Sequence, residues 1–180
     1  MKQTRSMLLA ALFAALTAVG AFVHIPTPVS SFTLQVLFAA MAGILLGKTW
    51  GMASQAVYVL LGLAGLPVFT FGGGFGALLQ PTAGFLLGLI PMAWVVGWVT
   101  ERRGSGFRQL CLACGAGLIV LYAVGLPYLH GVLTWVLHRQ WSLQQTLVSG
   151  MLIFLPWDLL KILLTAVLCA RIRPAISRIL

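Results

Sequence analysis

Acidic side chains are almost absent from this 180-residue chain, which has two Asp and Glu residues against 11 Lys and Arg. Charged residues of both signs make up only 7% of it, whereas 61% are hydrophobic. A soluble domain carries about a quarter charged residues, because water must hydrate its surface. We therefore expect an all-α membrane protein, with residues 1–180 forming a single integral membrane domain whose solvent is the lipid bilayer.

The chain also lacks the residue patterns of common catalytic sites. No serine, histidine and acid arrangement and no glutamate pair is available for hydrolysis. The glycine cluster at residues 72–76 has no lysine followed by Ser or Thr, as a phosphate-binding loop would. Its three cysteines lie in apolar sequence, and its three histidines are not spaced like metal ligands. We therefore predict that the protein is not an enzyme and needs no cofactor or metal.

Long apolar runs predict a bundle of six transmembrane helices, because a span needs about 20 apolar residues. The predicted spans cover residues 6–23, 32–46, 50–66, 85–99, 110–126 and 156–170, and a continuation of the fifth past Pro127 to Val136 is the alternative. The first has a basic start like a signal peptide, but no clear cleavage site precedes a polar domain, so we predict a retained helix. Residues 141–155 either extend the last helix or form a separate segment at the membrane surface, and we favour the second interpretation.

Basic residues predict the orientation of the chain in the membrane. The net charge of +9 falls in short clusters between apolar runs, which indicates membrane orientation and not nucleic acid binding. One end of the predicted bundle carries Lys2, Arg5, Lys48, Arg102, Arg103, Arg108, Arg171, Arg173 and Arg178. The other end carries only Arg139, and Lys161 is the remaining cation. Because loops rich in Lys and Arg stay in the cytoplasm, both termini are predicted to be cytoplasmic.

Two charged residues fall inside the last predicted span. Asp158 and Lys161 are three residues apart and therefore share one helix face. Ionisable groups in a span are costly and usually face the bundle interior, where they mark a site or pathway. The alternative is a neutralised pair that fixes helix packing. Gln35 and Tyr58 are further polar groups in apolar surroundings, and each is a candidate for the same site.

The connection between the third and fourth predicted helices is long, uncharged and rich in glycine. Gly73 and Gly74 belong to a cluster that allows backbone conformations other residues resist. Irregular backbone at membrane depth is tolerated only where it is buried in protein or lines a cavity. We therefore predict a lid or a pocket wall, with an ordinary connector as the alternative.

The first predicted helix carries small residues at regular spacing. Ala10, Ala14 and Ala18 recur every four residues, and Ala11 and Ala15 form an adjacent row. Small residues at this spacing let two helices approach closely in lipid. The row formed by Ala10, Ala14 and Ala18 is therefore a candidate docking face for a membrane partner, or it packs the helix within its own bundle.

Several motifs together resemble the BioY family, the biotin-binding S components of energy-coupling factor (ECF) transporters. The motifs are "TLQ", "YVLLGLAGLPVF" running into "GGGFG", "PTAGFLLG" and "LPWDLLK", spread over roughly residues 30 to 165. The resemblance implies a multi-pass protein of the bacterial cytoplasmic (inner) membrane that captures biotin from outside with high affinity. It also implies docking, through the alanine face of the first helix, onto a transmembrane T subunit that carries two ATPase subunits.

The resemblance further implies which residues bind biotin. Asp158 and Lys161 match the aspartate and lysine of the family's ligand site. On this basis we expect Lys161 to neutralise the biotin carboxylate and Asp158 to accept from the ureido N–H groups. The other candidate substrate-binding residues are Gln35, Tyr58, Gly73, Gly74, Gln80, Thr82 and Trp157.

The sequence departs from the family pattern in the region of the fourth predicted helix. Gln80 stands where glycine is frequent, Phe85 replaces a common tyrosine, and the helix lacks an arginine that some members use. A second hypothesis for the whole chain is a self-sufficient, proton-coupled secondary transporter of biotin or another small carboxylate vitamin, with Asp158 as the titrating group.

Overall fold

The computed structural model describes residues 2–26 and 31–176, and nearly all of the regular structure is helical. The helices are α1 (Lys2–Phe22), α2 (Gln35–Leu63), α3 (Ala83–Arg103), α4 (Phe107–Gly131), α5 (Leu143–Leu147) and α6 (Leu155–Ile176). A 3-10 turn covers Phe75–Leu79, and π-helical turns cover Val132–Val136 and Val148–Leu152. Arg178, one of the predicted cytoplasmic cations, lies outside the described residues.

Five helical segments in the described part of the chain are long and apolar enough to cross a membrane. They correspond to α1, α2, α3, α4 with the π turn after it, and the stretch Leu143–Arg173 that contains α5 and α6. The expectation of an all-helical, multi-pass membrane protein is therefore confirmed.

A single residue breaks α2 near its middle. Gly47 has φ 79° and ψ 177°, which a residue with a side chain adopts only with strain. On either side of this break the chain comes back on itself, because a Cβ atom added to Gly51 would lie 2.7 Å from Cα of Gly43. Eight residues of straight helix would separate these glycines by about 12 Å. The two halves of α2 therefore pack against each other, and the break falls between the predicted spans 32–46 and 50–66.

The helices pack closely because small residues lie where they meet. α2 contacts α1, α3 and α6, while α4 contacts α3 and α6. A Cβ atom on Gly43 would lie 2.5 Å from the carbonyl oxygen of Ala93, and Gly97 lies directly against the backbone of Lys48. Close backbone contact of this kind is how helices associate in a membrane. Moving an apolar side chain from lipid into a helix interface gains little free energy, because lipid tails are just as apolar.

The small residues of α1 face two ways. Ala10 and Ala14 are buried in the core, and Ala18 packs partly against it. The predicted docking row is therefore turned into its own bundle, which is the alternative that the sequence left open. The physical reason is that α2 covers this face of α1. Ala11 and Ala15 form the row that is exposed on the outer surface.

Two connections carry more structure than the sequence indicated. His24–Pro26 (β1) and Ser31–Thr33 (β2) pair antiparallel, with His24 opposite Thr33. We refer to these strands as the hairpin. In the stretch predicted as a separate surface segment, α5 packs against α4, and a π-helical turn leads from it into α6. The stretch is therefore helically continuous with α6 and packed on the bundle, which is the first of the two sequence interpretations and not the favoured one.

Candidate functional site

A cavity of about 250 Å³ lies between the hairpin, the first turns of α2 and α3, the middle of α4 and the first two turns of α6. Its polar lining consists of Ser31, Thr33, Gln35, Thr70, Gln80, Thr82, Tyr122, Asp158 and Lys161. Its apolar lining consists of Val36, Phe71, Phe85, Leu86, Leu89, Leu121 and Phe154, with Gly150. A concave space in which apolar side chains surround placed polar groups is the usual form of a small-molecule site.

The only charged groups of the cavity lining are paired with each other. Lys161 Nζ lies 2.8 Å from Asp158 Oδ1, and the two side chains are only 11% and 6% exposed. Their spacing on α6 puts them on one face, as the sequence predicted. The other oxygen of the carboxylate, Oδ2, accepts a hydrogen bond of 2.6 Å from the hydroxyl of Tyr122 on α4. Each carboxylate oxygen thus has a donor, and the pair is neutral as a unit.

Tyr122 is the main residue that the sequence interpretation missed. It lies within an apolar run, as Tyr58 does, and that position was the available signal. Its ring also meets Phe85 edge to face, with ring centres 6.3 Å apart and planes at 90°. A cavity-lining aromatic from α3 and the carboxylate from α6 therefore both contact the same tyrosine.

A chain of neutral hydrogen bonds stabilises the part of the site near the hairpin. Thr33 Oγ1 donates to Gln35 Oε1 at 2.9 Å, and Gln35 Nε2 donates to the Tyr58 hydroxyl at 2.6 Å. The Tyr58 hydroxyl then donates to the carbonyl oxygen of Val68 at 3.1 Å. Gln35 lines the cavity, whereas Tyr58 is buried behind it and holds Gln35 in place.

Aromatic side chains join the hairpin to the start of α6. The ring centre of Phe32 lies 4.5 Å from that of Phe154 and 5.8 Å from that of Trp157. Phe154 lines the cavity, but Trp157 does not, because its half-exposed side chain lies on the outside of the Phe32 contact. Trp157 therefore contacts the hairpin from outside the cavity lining.

The glycine-rich connection shapes one wall without its glycines lining the cavity. Gly74 has φ 91°, and its N–H donates to the carbonyl oxygen of Gly62 at 2.7 Å. A side chain on Gly73 would collide with the carbonyl group of Leu66. These contacts fix the loop so that Thr70 and Phe71 reach the cavity.

The structure brings together some of the nine predicted substrate-binding residues and separates others. Gln35, Gln80, Thr82, Asp158 and Lys161 line the cavity, whereas Tyr58, Gly73, Gly74 and Trp157 lie behind or beside its wall. The part played by each in binding remains a prediction. In the described part of the chain, no three His, Cys, Asp or Glu side chains come together as metal ligands.

These features define a small-molecule-binding protein of the membrane, and comparison with known proteins gives its family. The sequence model of the BioY family matches residues 1–178, so the chain belongs to the BioY family. The probable biotin transporter BioY of Lysinibacillus sphaericus is 41% identical over 172 residues, which cover 95% of this chain and 88% of that one. The biotin transporter BioY of Thermotoga maritima is 37% identical over 170 residues, covering 94% and 96%.

A solved structure shares the fold as well. The crystal structure of the S-component for biotin from an ECF-type ABC transporter superposes with a TM-score of 0.82. The two sequences are 27% identical, and the superposition covers 96% of this chain and 92% of the other.

Proposed function

We propose that this protein is the substrate-binding S component of an ECF-type transporter and binds biotin for uptake across the bacterial cytoplasmic membrane. The observation that carries the proposal is the buried Asp158–Lys161 pair, which faces a cavity of mixed polar and apolar lining in a chain of the BioY family. Relatives named as biotin transporters and the S-component fold support the same function. The function is one of binding and transport, without chemical change of the ligand.

The ion pair suits the ureido ring of biotin better than the carboxylate. Asp158 already neutralises Lys161 at 2.8 Å, so a second carboxylate beside it would leave a net negative charge in a buried place. The ureido ring is neutral and offers two N–H donors and one carbonyl acceptor. Asp158 can accept from the N–H groups and Lys161 can donate to the carbonyl, while Tyr122 keeps its O–H on the Asp158 carboxylate. This orientation replaces the expectation that Lys161 contacts the biotin carboxylate.

The carboxylate tail then reaches toward the first turn of α3. Gln80 and Thr82 line the cavity immediately before α3 begins at Ala83. The N-terminal end of a helix carries a partial positive charge, which stabilises an anion. Neutral amide and hydroxyl donors at this position can bind the carboxylate without a second buried cation.

Binding of biotin and of biotin methyl ester to the purified protein tests both parts of the proposal. The orientation predicts that the ester binds within about tenfold of biotin, because the tail contacts only neutral donors. Lys161→Ala should weaken both ligands alike, by roughly 30-fold or more, since it leaves Asp158 buried without its partner. An ester that binds far more weakly than biotin would reverse the orientation. Failure of the unaltered protein to bind biotin would refute the function itself.

The proposed topology has six spans, with both termini in the cytoplasm. As one straight helix the 29 residues of α2 would be about 44 Å long, well beyond the roughly 30 Å of a hydrocarbon core. The reversal at Gly47 divides them into two antiparallel spans. The basic residues then fall on one side, apart from Arg139 and Lys161.

Single cysteines at Thr49 and Ser31 should be labelled by an impermeant reagent from the inside and the outside, respectively. The opposite pattern would refute this topology.

The proposed partners are a transmembrane T subunit and two ATPase subunits. The described part of the chain holds no phosphate-binding loop of its own, so energy from ATP requires another subunit. The exposed row of Ala11 and Ala15 on α1 is the surface proposed for docking. Its small side chains allow a second helix to approach closely in the membrane. Purification of the protein with and without coexpressed partners, followed by uptake measurements, tests this dependence.

A further inference from the structure

The outer surface of α3 carries a ladder of three side chains spaced four residues apart. The rings of Trp94 and Trp98 stack with centres 6.0 Å apart and planes at 11°. The guanidinium carbon of Arg102 lies 4.3 Å from the ring centre of Trp98. Arg102 is exposed, and Trp94 is 39% exposed. We name these three residues the Trp–Arg ladder.

In the described part of the chain, no carboxylate side chain neutralises the Arg102 guanidinium of the ladder. The sequence contains only two carboxylate side chains. Glu101 pairs with Lys48, with Nζ and Oε2 3.3 Å apart, and Asp158 pairs with Lys161 in the cavity. Within the described residues neither carboxylate forms an ion pair with Arg102. Neither carboxylate side chain is therefore the counter-ion of Arg102, so its charge is available to an anion from outside the chain.

The geometry of Arg102 leaves its donors available to such a partner. Stacking on an indole uses one face of the planar guanidinium, whereas its N–H groups point outward in the plane. This fork matches two oxygens of a phosphate group. Arg103 is also exposed, but among the described residues no aromatic ring lies against its guanidinium. Because Arg102 is already ordered against Trp98, it loses less side-chain entropy than Arg103 when it binds an anion.

The position along the helix identifies the kind of phosphate. Trp94 and Arg102 are eight residues apart, or about 12 Å along the axis. Tryptophans concentrate where hydrocarbon meets headgroups, and arginine at a helix end extends into the headgroup layer. A molecule that contacts the whole ladder needs a phosphate at one end and an apolar body beside the indoles. We propose that the Trp–Arg ladder binds an anionic glycerophospholipid, with its phosphate on Arg102 and its glycerol and acyl chain along Trp98 and Trp94.

The test is a lipid titration of the purified, full-length protein in uncharged detergent micelles, with bound lipid counted by native mass spectrometry. Phosphatidylglycerol is the probe, and phosphatidylcholine is the uncharged comparison. Arg102→Gln should weaken phosphatidylglycerol binding about tenfold or more, because it removes the charge-assisted contact. Trp98→Leu keeps an apolar side chain but frees Arg102, and it should also weaken binding. Arg103→Gln is the matched control, since it removes the same charge one residue away and should change binding less than about twofold.

Each other outcome would overturn the proposal. Equal losses in Arg102→Gln and Arg103→Gln would mean diffuse charge attraction without a site. Equal binding of the two lipids, or displacement of phosphatidylglycerol by inorganic phosphate alone, would refute recognition of an anionic lipid. Lipid binding that survives Arg102→Gln while partner-dependent uptake fails would assign the ladder to a protein interface. Unchanged biotin affinity in all three variants serves as the control for folding.

Discussion

The hydroxyl of Tyr122 on α4 donates a 2.6 Å hydrogen bond to Asp158 Oδ2 on α6. Lys161 holds the other oxygen but belongs to the same helix as Asp158, so its contact does not join two helices. The tyrosine therefore supplies the hydrogen bond that fixes the carboxylate relative to α4. Because Tyr122, Asp158 and Lys161 all line the cavity, this relationship determines how the charged end of the site meets a ligand.

Tyr122→Phe should lower biotin affinity about ten- to a hundredfold, since it removes a hydrogen bond to a charged group and frees the carboxylate to rotate. Titration calorimetry on the purified variant measures this change. Tyr128→Phe is the matched control, because the Tyr128 hydroxyl on the same helix donates to the carbonyl oxygen of Leu78 and lies outside the cavity lining. The control should lower thermal stability without a comparable loss of affinity. Similar affinity in both variants would remove Tyr122 from the site.

Asp158→Asn and Asp158→Ala should differ in their effect on biotin affinity. The asparagine keeps an oxygen that accepts from Tyr122 or from a ureido N–H, although the charge beside Lys161 is lost. The alanine leaves both Lys161 and Tyr122 without their acceptor in a buried place, which is the more costly change. We therefore expect weaker binding by the alanine variant in equilibrium measurements. An equal loss in both variants would indicate that charge alone matters.

The same asparagine variant separates the two transport hypotheses. If the protein is an S component, uptake should fall in proportion to binding and should require the ATPase partners. A proton-coupled transporter with Asp158 as the titrating group would instead bind biotin and no longer accumulate it. Uptake in cells with and without a proton uncoupler, and with and without the ATPases, distinguishes these patterns.

Glu101→Ala should lower the thermal unfolding temperature more than Lys48→Ala. The backbone N–H of Lys48 donates to Glu101 Oε1 at 2.9 Å, so the carboxylate caps the half of α2 that starts after Gly47. Loss of such a cap costs about 1 kcal/mol, whereas a partly exposed ion pair contributes less than about 1 kcal/mol. Lys48→Ala removes only the ion pair and is the matched control. Equal unfolding temperatures would show that the cap does not stabilise the turn.

Ala15→Trp should abolish partner-dependent uptake while biotin binding by the isolated protein is retained. Ala15 is exposed on α1, and a tryptophan there would hold a docked helix away. Ala14→Trp is one residue away but faces the core, so it should reduce stability and binding through overpacking. Uptake by Ala15→Trp equal to that of the unaltered protein would move the docking surface elsewhere.

The sequence was enough to locate residues whose type is rare in an apolar helix. It was not enough to locate residues whose role depends on contacts between distant helices. Asp158 and Lys161 were evident because a charge inside an apolar run is costly and needs a reason. Tyr122 was not, because its partner lies 36 residues away and only the tertiary fold joins them. Like the two charges, the break in α2 was visible in the sequence: it forms at Gly47, which lies in the gap between the second and third predicted spans.

The alanine rows show a different limit. In lipid, the outside of a helix is as apolar as its inside, so hydrophobic periodicity cannot tell which face is buried. Two adjacent rows of the same spacing then give the same signal. Ala10 and Ala14 are buried because α2 packs against α1, a contact that no local pattern in α1 encodes, so the sequence alone could not choose between docking and internal packing.

The turn at Gly47 restricts where this protein can be modified. It reverses the chain without a free loop, and Gly97 and Glu101 of α3 lie directly against it. Extra residues placed there would have to displace both. Residues 104–106, between α3 and α4, are exposed and include Gly104, which also has a positive φ. Insertions succeed at exposed segments with few contacts, so an epitope or fluorescent reporter belongs at Ser105 and not in the turn between the two halves of α2.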